Sequence, residues 1–133
     1  MLIKTKAIFI KKIAFLFLAL ILLWSCKEEN VNTSIVRLDV QSSFNQDNVE
    51  ITIDNNEIIN KQLQTNNLLG VCDDGRISIK LSEGNHVIKI MINNLTTKTE
   101  TFSLNKVLYI GVNYVRQTKE ISVIYSDNPF GYD

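Results

Sequence analysis

The chain is short of the residues that cross-link or punctuate proteins. Its 133 residues include one proline, five glycines, two cysteines, one tryptophan and one histidine. So little Pro and Gly excludes collagen-like and proline-rich disordered architectures. Two cysteines exclude a disulfide-dense scaffold, and with one histidine they fall short of the four ligands of a structural zinc site. Neither charge sign is in excess: 14 Lys and Arg balance 14 Asp and Glu. That balance argues against a nucleic-acid binder, which presents a basic face. There is no Gly-x-Ser-x-Gly nucleophile elbow and no internal repeat, so a serine hydrolase of that type and a solenoid are not indicated. The length suits one domain.

What is present is unevenly placed. Lys4, Lys6, Lys11 and Lys12 precede Cys26 with no acid among them, which leaves ten basic residues against fourteen acidic ones from Cys26 onward. A 12-residue apolar run, Ile13 to Trp24, follows the lysines directly. A membrane-spanning helix needs about 20 such residues. A signal peptide needs an apolar stretch of only about 7–15 after a positive start. An uncleaved anchor helix is the alternative, but extending the span backwards draws in Lys11 and Lys12 at about 2.5–3.5 kcal/mol each near its centre.

The run ends in Leu23-Trp24-Ser25-Cys26. This resembles the lipobox of bacterial lipoproteins, with an aliphatic residue at −3, a small one at −1 and then the cysteine. Trp24 is bulkier than the common residue at −2. The resemblance implies cleavage after Ser25 and a diacylglyceryl group on the Cys26 sulfur. Two or three acyl chains, at about 0.8 kcal/mol per buried CH₂, anchor a protein that a single chain would not. An ordinary secretory signal followed by a cysteine is the competing reading. Lys27-Glu28-Glu29 comes next and resembles the export signal of surface lipoproteins of the Bacteroidetes group. It implies a lipid-anchored protein on the outer face of the outer membrane; a periplasm-facing lipoprotein is the alternative. The organisation expected is a signal peptide over 1–25, a lipidated tether over 26–34 and a domain over 35–133.

From Ile35 onward apolar and polar residues alternate with the period of a half-buried strand. Val36, Leu38 and Val40 alternate with Arg37 and Asp39, and Ile51 and Ile53 with Thr52. Ile79 and Leu81, Ile88 and Ile90, Phe102 and Leu104, Ile110 and Val112, and Ile121 and Val123 continue the pattern. Asp54-Asn55-Asn56, Asp73-Asp74-Gly75, Glu83-Gly84-Asn85, Asn93-Asn94, Asn105-Lys106 and Gln117-Thr118-Lys119 supply the turns. Glu57 to Leu69 fits a strand through Ile59, Lys61 and Leu63, or a short helix through Ile58 and Gln62; the strand is preferred. Seven or eight short strands predict an all-β fold, a small antiparallel β-sandwich. The expected core is Leu38, Val40, Ile51, Ile53, Ile79, Leu81, Ile88, Ile90, Phe102, Ile110, Val112 and Val123. Arg76 to Ile90, with its Leu81-Ser82-Glu83-Gly84-Asn85-His86-Val87 centre, resembles the strand–turn–strand of PEGA and prealbumin-like surface domains. That resemblance implies a small sandwich and no particular activity. The immunoglobulin Cys–Trp–Cys signature is missing.

Candidate chemistry is sparse. His86 lacks a nearby nucleophile motif and reads as a strand residue beside a turn. Cys72 follows Leu68, Leu69 and Val71 and reads as a buried small hydrophobe; a free exposed thiol or an intermolecular disulfide is the alternative. Asp54 and Glu57 lack the spacing and glycine of a calcium loop. No cofactor and no metal are expected. Near the C-terminus Phe130 and Tyr132 flank Gly131 after the sole proline. They either dock on the domain or form a partner contact. The function expected is that of a non-enzymatic, monomeric surface lipoprotein of the outer membrane that binds another envelope protein or serves as an accessory envelope component; a glycan or small-ligand module of a nutrient-capture system is the alternative.

Overall fold

Period-two alternation becomes eight strands in the computed structural model, which describes residues 28–132. They are β1 (Thr33–Val40), β2 (Asn45–Ile53), β3 (Asn56–Gln64), β4 (Arg76–Ser82), β5 (Gly84–Ile92), β6 (Thr96–Leu104), β7 (Leu108–Val115) and β8 (Glu120–Ser126). A single 3-10 turn, Asp73–Gly75, precedes β4. The strands form two four-stranded sheets, ordered β4-β1-β7-β8 and β3-β2-β5-β6. Their apolar faces meet in one core, so the fold is the expected β-sandwich. β1 and β2 lie in opposite sheets, whereas the immunoglobulin constant type holds its first two strands in one sheet.

One pairing departs from the antiparallel expectation. β1 runs parallel to β7, from Val36 opposite Leu108 to Val40 opposite Val112. The chain crosses between the sheets at both ends, so β1 and β7 start at the same end and run the same way. Odd-numbered strands climb from this entry pole, where β1 begins. Even-numbered strands return from the opposite loop pole, which holds the connections 41–44, 65–75, 93–95 and 116–119.

The turns are built as the residue types require. Asp54 and Asn55 both take positive φ, at 49° and 64°, in the two-residue turn between β2 and β3. Asn93 and Asn94 do the same at 53° and 54° between β5 and β6. Gly84 has φ 125° at the corner from β4 to β5, a conformation that other residues rarely adopt. That corner joins one sheet to the other and is not a hairpin, since β4 pairs with β1 and β5 with β2 and β6.

Nine of the expected core residues are buried: Leu38, Val40, Ile51, Ile53, Ile88, Ile90, Phe102, Ile110 and Val112. Ile79, Leu81 and Val123 are only partly buried against the core, because β4 and β8 are edge strands with no neighbour on their outer side. Phe44, Leu63, Val71, Cys72 and Tyr114 fill the core in addition. β1 starts at Thr33, two residues earlier than the apolar pattern, because Thr33 and Ser34 pair with Ser82 and Leu81; the expected tether is shorter by that much. Glu57 to Gln64 belongs to β3 as expected. Thr65 to Leu69 does not continue it; the chain turns there, and an Asn66–Val71 bridge closes the loop.

Candidate functional site

Three places hold the polar chemistry of the sandwich. The first is the outer face of the β4-β1-β7-β8 sheet. Alternation points Arg37, Asp39 and Gln41 outward from this part of the chain, and register fixes their neighbours. Arg37 stands opposite Ser78 on β4 and Tyr109 on β7, and Asp39 opposite Arg76 and Gly111. After β8, a turn closed by Ser126 Oγ on Asn128 folds the C-terminal tail back. The tail crosses this face. Tyr132 Oη donates to Asp39 Oδ2 at 2.6 Å and accepts from Gln41 Nε2 at 2.9 Å. Asn113 Nδ2 donates to Gln41 Oε1 at 2.8 Å, extending the chain of hydrogen bonds. The Arg76 guanidinium lies 5.2 Å from the centre of the Tyr132 ring and its Nε is 3.4 Å from Asp39 Oδ1. Burial and the anionic Asp39 push the Tyr132 phenol up to about 12. Gly111 makes room for this arrangement: a Cβ there would lie 2.8 Å from the Gln41 amide atoms. Tyr132 is therefore engaged by its own domain. Phe130 is half-buried and, with Pro129, walls a cleft of about 280 Å³ over Arg37, Ser78 and Tyr109.

The second place is the loop pole. Asp47 is buried at the start of β2, with its side chain 4% exposed. It accepts from Asn45 N at 2.8 Å, Asn93 Nδ2 at 2.8 Å and an Arg116 NH₂ group at 2.5 Å. One carboxylate thus ties the start of β2 to the 93–95 and 116–119 connections, and Arg116 also donates to the Ser43 carbonyl of the 41–44 connection. Arg116 also stacks over Tyr114. Two leucines project from this pole: Leu95, 82% exposed, from the 93–95 connection held by Asp47, and Leu68, 89% exposed, from a turn in which its N–H donates to Asn66 Oδ1.

The third place is the corner at the entry pole. His86 Nδ1 lies 2.5 Å from Asp54 Oδ2 and Nε2 2.7 Å from the Ser82 carbonyl. Both partners are acceptor groups, so the imidazolium form, in which both ring nitrogens donate, is the one this geometry satisfies fully. Burial alone lowers the His86 pKa, but the bonds to Asp54 and Ser82 outweigh it and the net shift is upward. The same bond, with that from Val87 N, lowers Asp54. With neither nitrogen free, this is a clasp between the β2–β3 turn and β5. Cys72 is fully buried beside Thr65 Oγ1 and the Gln41 carbonyl, and desolvation raises its thiol pKa. Among the described residues no three His, Cys, Asp or Glu side chains converge as metal ligands.

Leu23, Ser25, Cys26 and Lys27 lie outside the described residues; Glu28 and Glu29 are exposed. Arg37, Asp39, Gln41, Asp47 and Arg116 were not marked by any motif, since each belongs to an ordinary polar position of a strand or turn. Gly111, a glycine inside an otherwise regular strand, was the one local sign of close approach. Comparisons with protein-family models and with curated proteins return no match to this chain.

Proposed function

We propose that the chain is a lipid-anchored surface protein whose sandwich binds a protein partner through its loop pole. The observation that carries the reading is the pair of exposed apolar tips Leu68, on a turn held by Asn66, and Leu95, on a connection braced by Asp47. Exposed leucines on rigid loops offer apolar area to a partner at little ordering cost. The pole lies at the opposite end of the sandwich from the start of β1. The lipobox-like Leu23 to Cys26 and the Lys27-Glu28-Glu29 signal support anchoring and display on the outer membrane. A binding role, in place of catalysis, is supported by the occupied His86 nitrogens and the buried Cys72 thiol.

The reading is tested on the native lipoprotein. Mass spectrometry should find an acylated Cys26 as the N-terminus, and protease added to intact cells should remove the domain. Crosslinking in intact cells should then capture one envelope protein with the wild type. It should fail with the double variant Leu68→Ser and Leu95→Ser, whose stability should change by no more than about 0.5 kcal/mol, as is usual at exposed positions. Equal capture by both forms would remove the loop pole from the proposal, and an intact Met1 terminus would remove the anchor.

A further inference from the structure

We propose that the cleft between the C-terminal tail and the outer face of the β4-β1-β7-β8 sheet is a binding site for a small carboxylate ligand with an apolar or ring-shaped body. The sheet register puts Ser78, Arg37, Tyr109 and Ser126 in one row across all four strands, at about 4.8 Å per strand. The side chains on this row differ in what they leave available. Arg37 has no ion-pair partner among the described residues. The one acid beside it, Asp39, already holds the Tyr132 hydroxyl and faces Arg76. Its charge is thus committed, and the cleft holds a surplus of cationic guanidinium. A guanidinium fork matches a carboxylate with two parallel hydrogen bonds, a geometry a lysine does not offer. Ser78 supplies a hydroxyl next to the fork.

The walls select the rest of the ligand. Phe130 and Pro129 form one side and Tyr109 lies on the floor, so the carboxylate sits next to aromatic and apolar surface. At about 280 Å³ the cleft lies just below the range of about 300–1,000 Å³ that takes drug-sized ligands. A single sugar acid or amino acid suits that volume better than an oligomer does. The tail wall is held in place from both ends, by Lys106 on Asp127 at 2.8 Å and by Tyr132 on Asp39 and Gln41. The site is therefore shaped before any ligand arrives.

Two sources share this chemistry, a sugar acid and an N-acylated aromatic amino acid, and calorimetric titration of the full chain in detergent separates them. The probes are sodium glucuronate and the sodium salt of N-acetylphenylalanine, with glucose as the neutral control. Saturable binding of one or both salts, absent with glucose and weakened by added sodium chloride, is the expected result. The tighter of the two names the source. Arg37→Gln should weaken binding at least about tenfold, a change of about 1.4 kcal/mol. Phe130→Ala should weaken it by removing the apolar wall while leaving the salt dependence. Lys61→Gln, an exposed change on β3 of the other sheet, should leave it unaltered. Thermal melts of each variant check that the sandwich is intact. No saturable binding of either salt, or binding indifferent to Arg37→Gln, overturns the proposal. Neither outcome touches the loop pole, which is tested by its own variants.

Discussion

At the residue scale, His86 and Asp54 make a pH-dependent clasp whose sign follows from the two shifts. His86 is raised from 6.5, so its contribution is complete below that value and is lost as pH rises through the higher folded value. Asp54 is lowered from 3.8, so its contribution is complete above that value and is lost as pH falls through the lower folded value. The stability advantage of the wild type over Asp54→Asn should be greatest between these limits and shrink above pH 6.5. Urea denaturation across that range measures it; an advantage that grows from pH 6.5 to 8.5 would contradict the clasp. Asp47 belongs to the same scale. Asp47→Ala strands two donors and a guanidinium that now share one buried carboxylate, so it should cost about 2–3 kcal/mol. Denaturation read at pH 7 checks this, against Asn45→Ala as a near-neutral change.

At the element scale, the C-terminal tail behaves as one more segment laid across the outer face of one sheet, without being a strand. Its hold depends on Gly111 lying flat beneath Gln41. Gly111→Ala should push the Gln41 amide aside and break its bonds to Asn113 and Tyr132. At about 0.5–1.5 kcal/mol per hydrogen bond, the loss should be about 1–3 kcal/mol. Carboxypeptidase should then release the last residues faster than from the wild type. On the far edge, Lys98 Nζ donates to the Ile121 carbonyl at 3.1 Å and Tyr125 donates to Glu100 at 2.7 Å, tying β6 to β8. Burial, with the Glu100 anion, raises the Tyr125 phenol. These ties and the charged Lys80 and Lys98 blunt the sheet edges against pairing with other chains.

At the scale of the whole molecule, stability rests on the interface between the sheets, and burial predicts a gradient. Leu38→Ala or Ile51→Ala removes a side chain with no exposure and should cost about 2–5 kcal/mol, a large part of the 5–15 kcal/mol typical of a domain. Val123→Ala, only partly buried on an edge strand, should cost less. Chemical denaturation of the three variants orders them, and equal losses would mean that the edge strands are packed as tightly as the centre.

Alternation of apolar side chains sufficed for the strands, the all-β class and most of the core, because a half-buried strand must show its period in the sequence. The Asp and Asn pairs marked their turns for the same local reason, since few other residues accept positive φ. The parallel β1–β7 pair was not legible, because pairing is decided between segments about 70 residues apart and nothing local encodes which strand a neighbour will be. The partial exposure of Ile79, Leu81 and Val123 follows from that order, since only the strand sequence in the sheet says which strands stand at an edge. The tail shows the division most plainly. Phe130 and Tyr132 announced an aromatic contact, but whether it faces inward depended on Asp39, Gln41 and Arg76, which reach the tail only once β1 and β4 lie side by side. Arg37 was one polar residue among several until register set it beside Ser78 and Tyr109. Local chemistry thus determined the elements, while long-range pairing decided which side chains share a surface.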